Sequence, residues 1–389
     1  MSGSSLALAR LPRAHAVARE GMAAGLHAGV QVCVWLGEKS VVDDAIGRAR
    51  PGAAATPETI NAWLSATKPL VAVAVARLLE AGLIDLDAPV WEYVPEFAAG
   101  GKDAVTLRHI LTHTACLSPV AEPAAADFDD ANAHWQAAVA RALGVPLLPG
   151  CVPGERAAYD PAGGWYVLAE VVERLDGRRI DRFLAEELFT PLEMASWSLT
   201  VDAARRASLA DRLGWMYRRS PGQELSPDPR LNSAAEMEVL RPGSSGRGTA
   251  RHLAHFYRML LQGGQWHGRR ILRPETVALF TSRQRRGMFD HTFRAPLDWG
   301  LGFMVNSRPP GSDRPVPYGF GRHAGPDAFG HGGRESSVAF ADPRHELVVA
   351  VHFNGMPGEG RHQQRIDAFL TAVYEDLGLD AARGERRRW

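Results

Sequence analysis

Ser65-Ala66-Thr67-Lys68 places a hydroxyl and an amine three positions apart, at the head of the apolar stretch 69–79. At helical spacing such positions lie one above the other on one face, so the amine reaches the hydroxyl. A serine hydroxyl attacks poorly unless a base takes its proton. A lysine pressed into apolar surroundings loses its own proton near neutral pH and supplies that base. Lysine is scarce in this chain: Lys39, Lys68 and Lys102 are three among 44 basic residues. Arginine, which makes up the rest, holds its proton and cannot replace Lys68 in the role. A Ser-x-x-Lys tetrad also arises by chance. Its weight here comes from its place at a helix start and from two further motifs downstream.

Tyr159 follows Pro153-Gly154-Glu155-Arg156-Ala157-Ala158 and precedes Asp160-Pro161. A phenol near a lysine relays protons to a leaving group; taken alone it reads as a half-buried tyrosine at a helix entry. His331-Gly332-Gly333 follows Phe329-Gly330 and leads to a strand ending Phe340-Ala341-Asp342-Pro343. Glycines there let a ligand approach the strand backbone closely. The N–H of Arg334 and the N–H of Ser65, at the positive end of its helix, are candidate oxyanion donors. A histidine between glycines is otherwise an ordinary loop residue. His109 and His113 have metal-ligand spacing, but the segment lacks the glutamate of a zinc hydrolase helix and a third ligand. No metal site or cofactor is expected.

The elements that must carry these groups follow from periodicity. Residues 11–25 read as a helix. Residues 30–36 and 40–46 read as a hairpin turning at Gly37-Glu38-Lys39. Residues 58–116 are helical in character, with Pro69 tolerated in a first turn. The alanine- and proline-rich stretch 118–150 is expected to loop over the surface. Helices follow at 165–175 and 180–188, then an irregular, proline-rich stretch 200–246 is expected to face substrate. Helices resume at 249–262 and 274–280. Strands at 302–305, 337–341 and 346–353 precede a helix at 363–377, and the tail 383–389 is expected to fray. Strands at both ends with helices between predict an α+β fold. Its expected form is one antiparallel sheet flanked by helices and built from both termini, with an inserted all-helical subdomain. The expected boundaries within the single domain 1–389 are about 1–57 and 290–389 for the α/β part and about 58–289 for the helical part.

Composition excludes several classes. The 389 residues carry zero formal net charge, with 46% hydrophobic and 23% charged residues, as in globular proteins generally. No basic footprint suggests nucleic acid and no polybasic patch suggests membrane. The arginines at 283, 285, 286 and 294 offer an acidic partner a surface, or simply face solvent. Cys33, Cys116 and Cys151 read as reduced thiols rather than a disulfide framework. The amino-terminal stretch lacks the apolar core of a signal peptide and no run reaches membrane-span length. These features together suggest a cytoplasmic location.

Taken together, the motifs resemble the serine β-lactamase-like and penicillin-binding superfamily, in its branch of class C β-lactamases, D-amino-acid peptidases and family VIII carboxylesterases. The resemblance rests on Ser65-x-x-Lys68, LLEAGLIDLDAPVWEYVPEF, VTLRHILTHTACL, PGERAAYD, VLAEVVERLDG, RILRPETVALF, WGLGF and FGHGG with FADP, in order along the chain. It implies Ser65 as nucleophile, Lys68 as proton acceptor and Tyr159 as the partner base that protonates the leaving group. It implies His331 at the place of the third motif's lysine or histidine, with Gly332, Gly333 and Arg334 beside the substrate. Which of Lys68 and Tyr159 takes the first proton is left open. Pro161 stands where β-lactam-cleaving relatives carry an asparagine that bonds the substrate amide, and Arg334 stands where a small residue is common. Losing that donor weakens amide binding, while an arginine at the strand edge offers a clamp for a carboxylate or phosphate. The expected activity is acyl transfer from a small ester or activated amide through a Ser65 acyl-enzyme. Water as acceptor makes a carboxylesterase; an amine or alcohol makes a natural-product transacylase. The alternatives are a β-lactamase or D-amino-acid peptidase, and a catalytically silent binding protein. The expected partners are a small-molecule acyl donor and its acceptor, with no nucleic acid and no membrane.

Overall fold

A computed structural model describes residues 7–219 and 224–380. The tail at 383–389 and the start of the amino-terminal stretch lie outside the described residues. An eight-stranded antiparallel sheet forms the centre. Its strands are β1 (Gly29–Leu36), β2 (Lys39–Arg50), β3 (Ala53–Ala54), β4 (Asp298–Trp299), β5 (Met304–Val305), β6 (Phe329–Gly333), β7 (Ser337–Asp342) and β8 (Leu347–Phe353). They lie in the order β4-β5-β6-β7-β8-β1-β2-β3. Strands from the two ends of the chain therefore meet where β8 pairs with β1, Val32 opposite Val351.

Both sheet faces are covered, which is why β8 reads Leu-Val-Val-Ala-Val-His-Phe with every residue buried. Leu347, Val349, Val351 and Phe353 point to one core with Val30, Val32 and Val34. That core is closed by α1 (Pro12–Ala23), the first helix, and by the carboxyl-terminal helix. Val348 and Ala350 point the other way, into the larger core. Alternate residues take opposite faces because the strand period is two.

The larger core centres on α2 (Lys68–Glu80), whose residues from Lys68 to Ala76 are all buried. A helix apolar all round has no solvent face and sits in the middle of its neighbours. Around it lie α3 (Leu107–Leu111), α4 (Ala131–Gly144), α5 (Gly163–Asp176) and α6 (Ile180–Leu184). Helix α4 corrects the surface loop expected over 118–150. Asp130 accepts hydrogen bonds from Asn132 and Ala133 N–H as its cap, and alanine favours helix more than any other residue. The stretch 200–246 also holds two short helices, α7 (Ala203–Leu209) and α8 (Ala234–Glu238). Helices α9 (Ala250–Leu261), α10 (Pro274–Thr281) and α11 (Glu359–Asp376) complete the set. Among the described residues no helix is long and apolar enough to cross a membrane.

One expectation fails outright. Cys116 and Cys151 form a disulfide across 35 residues of chain, and Cys33 alone is a free, buried thiol. The pairing was illegible because it depends on two turns meeting. Backbone bonds from Leu148 N–H to Cys116 O and from Gly154 N–H to Thr114 O bring them together. Disulfides persist where thiols are oxidised, so this bond runs against the cytoplasmic expectation.

Candidate active site

Ser65 sits in a 3-10 turn, Leu64–Thr67, and Lys68 begins α2 directly behind it. The turn is tied down on several sides. Trp63 Nε1 donates to Gly248 O at 2.9 Å, and Thr67 Oγ1 donates to Leu64 O at 2.6 Å while accepting Gly246 N–H at 3.0 Å. Leu64 is held at φ 50°, a conformation costly for a residue with a Cβ, so strain is stored beside the candidate nucleophile.

Lys68 is fully buried, with its Nζ 3.2 Å from Ser65 Oγ. It also donates to Pro161 O and Gly243 O, each at 2.9 Å. A neutral amine has two N–H bonds and one lone pair. With the two carbonyls holding the N–H groups, the lone pair faces the Ser65 hydroxyl. Desolvation lowers the ammonium to about 7, against the opposing pull of Asp160 and Glu122. The expected serine–lysine contact is thus present, made from a 3-10 turn and the first residue of α2 rather than from one continuous helix.

Tyr159 comes to the same point from the chain before α5. Its backbone N–H donates to Asp290 Oδ1 at 3.2 Å, and its carbonyl accepts from Thr292 Oγ1 at 3.0 Å. Its ring packs on His113 at 4.7 Å and on Phe293 at 4.9 Å between centroids. Loss of surrounding water pushes the phenol above its ordinary value, partly offset by a hydrogen bond with Ser65. The ring of Tyr159 lies 5.3 Å from Lys68 Nζ, and that of Trp165 lies 5.2 Å away.

Strand β6 supplies the third side. His331 Nδ1 bonds to Gly332 O at 2.8 Å, which fixes the ring's proton there and leaves Nε2 as an acceptor. Among the described residues that buried Nε2 has no partner. Burial, and next the Lys68 charge, lower His331 to about 3, so the ring is neutral. The two glycines answer to close approach. A Cβ on Gly332 would stand 2.1 Å from the Tyr318 ring, and one on Gly333 2.3 Å from Trp63 O. Arg334 is exposed, with Nε 3.9 Å from the carboxylate of Glu335.

Ser65, Tyr159, Pro161, His331, Gly332 and Arg334 line one cavity of about 240 Å³, closed further by Phe293, Met304, Tyr318 and Glu359. None of the described residues of 200–246 lines it, so the described part of that stretch does not form the substrate wall expected of it. It contributes instead the Gly243 carbonyl on Lys68 and the Gly246 backbone that holds Trp63 and Thr67. His109 is spent on the cap of α3, where its ring accepts Thr106 N–H, whereas His113 sits beside Tyr159. The two histidines thus serve different neighbours.

Several contributors were not evident from sequence. Asp160 accepts the N–H groups of Ala162, Gly163 and Gly164 at 2.6 to 2.9 Å, capping α5 behind Tyr159. Its place after Tyr159 and before Pro161 was the available signal. Arg285 and Asp290 form a fully buried ion pair at 3.0 Å. Arg285 also donates to Thr112 O and Leu297 O, and Asp290 holds the Tyr159 backbone. Arg283 pairs with Asp298 and Asp327. These two arginines therefore brace the fold, and only Arg286 and Arg294 of that group are exposed. Tyr318, Phe293 and Glu359 carried no sequence signal.

A scan against protein families matches residues 14–372 to Beta-lactamase. An esterase/beta-lactamase LipL of Mycobacterium tuberculosis (strain ATCC 25618 / H37Rv) is 30% identical over 311 residues, covering 75% of this chain and 68% of that protein. A monacolin J acid methylbutanoyltransferase of Aspergillus terreus is 30% identical over 237 residues, 55% of each chain. Among solved structures, a family VIII carboxylesterase superposes with a TM-score of 0.75 at 25% identity, covering 93% of this chain and 97% of the other.

Proposed function

The chain belongs to the Beta-lactamase family and is a serine hydrolase/acyltransferase; from that premise we propose that it transfers the acyl group of a small ester or activated amide through an acyl-enzyme on Ser65. The observation that carries this reading is the buried Lys68 amine, 3.2 Å from Ser65 Oγ with its N–H groups held by two carbonyls.

In the proposed course, Ser65 Oγ attacks the acyl carbon and its proton passes to the Lys68 lone pair. The oxyanion forms beside the N–H groups of Ser65 and Arg334. As the intermediate collapses, the Tyr159 phenol gives its proton to the leaving alcohol or amine, and the proton on Lys68 restores the phenol. Burial favours this order, because it keeps Tyr159 protonated and lowers Lys68. Water, an amine or an alcohol then attacks the ester on Ser65, with the same groups acting in reverse.

Ester chemistry is favoured over β-lactam or D-peptide cleavage by two features. Pro161 has no side-chain donor for a substrate amide. His331 is neutral and gives a substrate carboxylate no cationic anchor. The relatives' names span both outcomes of the second step, an esterase and an acyltransferase.

Intact-mass measurement after exposure to p-nitrophenyl butyrate is expected to show a butyryl adduct that is absent from Ser65→Ala. Turnover of that ester should exceed turnover of a chromogenic cephalosporin by about a hundred-fold, the scale of a lost substrate hydrogen bond in a buried site. Equal turnover of the two would overturn the ester preference, and no adduct would overturn the acyl-enzyme. With rising amine, free acid falling as amide forms marks a transacylase.

A further inference from the structure

The mouth of the cavity carries chemistry that the acyl-transfer steps leave unused. A continuous aromatic wall runs outward from the candidate nucleophile. Tyr159 packs on Phe293 at 4.9 Å, and Phe293 meets Tyr318 edge-on at 5.8 Å. The wall ends on a carboxylate. The Tyr318 hydroxyl lies 3.0 Å from each oxygen of Glu359 and donates to them, while accepting Glu335 N–H at 3.1 Å. Gln363 Nε2 adds a bond to Glu359 Oε2 at 3.4 Å. Among the described residues Glu359 has no ion-pair partner, because Arg334 turns to Glu335 instead and is 73% exposed.

Aromatic faces carry negative potential and attract cations, more strongly where water is excluded. A carboxylate held by two neutral donors at the end of such a wall has its charge offset only from a distance, by Arg334. We propose that this mouth binds an ammonium group, so that the preferred acyl donor or acceptor is cationic near the reacting carbonyl. The inference rests on the reading of this cavity as the acyl-transfer site and names the substrate class for it. Phe293 and Tyr318 supply the apolar and π contact, Glu359 the countercharge, and Arg334 the opposing charge that sets how strong the preference becomes.

The test compares choline with 3,3-dimethylbutan-1-ol, its uncharged isostere, by calorimetry on the Ser65→Ala protein. The two share shape and apolar area, so the ratio of their dissociation constants isolates the charge. Choline is expected to bind about ten-fold more tightly, the scale of a partly desolvated cation–π contact with a nearby carboxylate. Glu359→Gln in the same background should lower the ratio to about three, the π contact remaining, and Arg334→Ala should widen it. Equal binding of the two ligands, no choline binding, or a ratio unmoved by Glu359→Gln would overturn the proposal. Tighter binding of 4-hydroxybutanoate than of choline would assign the mouth to Arg334 and overturn it as well. Nothing turns over in the Ser65→Ala protein, so this outcome is independent of the acyl-enzyme. An active enzyme left unlabelled by every ester would end the acyl-transfer reading without touching the binding result.

Discussion

At the scale of single residues, Lys68 is governed by the water it has lost. Full burial lowers its ammonium to about 7, outweighing the pull of Asp160 and Glu122, and none of its three hydrogen-bond partners is a carboxylate. On the proposed course the reactive form is the neutral amine, present above that value and lost below it. The acylation rate, read as kcat/KM for a p-nitrophenyl ester, should therefore fall about ten-fold per pH unit below about pH 7 and level off above it. Lys68→Arg should lose about a thousand-fold or more at every pH, since arginine keeps its proton. A profile flat from about pH 5 to about 9 in the wild type would remove Lys68 from the role. This residue was legible from its type and spacing, because a helical rise of three residues brings Nζ over Oγ wherever the turn forms. The partners that tune it were not, since Pro161 O and Gly243 O are backbone atoms 93 and 175 positions away.

At the scale of elements, the position of Tyr159 depends on the segment 285–292 rather than on its own helix. Asp290 accepts the Tyr159 N–H and the N–H groups of Thr292 and Phe293, while Arg285 neutralises it in a fully buried pair. Removing one partner strands the other charge. Arg285→Met should therefore cost about 3 to 5 kcal/mol in a urea melt, whereas Arg285→Met with Asp290→Leu should recover part of that loss. The double variant should regain stability yet keep a low kcat, because the Tyr159 backbone still lacks its acceptor. Full recovery of kcat along with stability would show that the pair does not position Tyr159. Helices α1, α2, α5, α9, α10 and α11 and strands β1, β2, β7 and β8 were visible in periodicity, since a 3.6 or 2.0 repeat is local. The arginine pair was hidden because one charged loop in sequence looks like another.

At the scale of the whole molecule, strands from both ends of the chain meet in the sheet and the residues lining the candidate site converge from distant segments. Ser65 lies before α2, Tyr159 before α5, His331 on β6 and Glu359 at the head of α11. The Cys116–Cys151 bond closes a loop of 35 residues ending just before Tyr159. Closing such a loop restricts the unfolded chain by about 4 kcal/mol in the chain-entropy account. Thermal melts with and without a reductant should show a lower Tm for the reduced protein, and Cys116→Ser with Cys151→Ser should melt at the reduced value and ignore the reductant. Identical melts under both conditions would mean that the bond contributes nothing to the fold.

The sequence by itself determined the α+β class and the sheet drawn from both termini, because each depends on local periodicity, and it singled out Ser65, Lys68 and Tyr159, which the structure brings together. Only the tertiary structure decided the disulfide, the buried use of Arg285 and the aromatic mouth that ends on Glu359. Those features depend on which distant segments touch. Contact between separate segments is fixed by packing and by the satisfaction of buried polar groups, and neither leaves a pattern in the residues taken one stretch at a time.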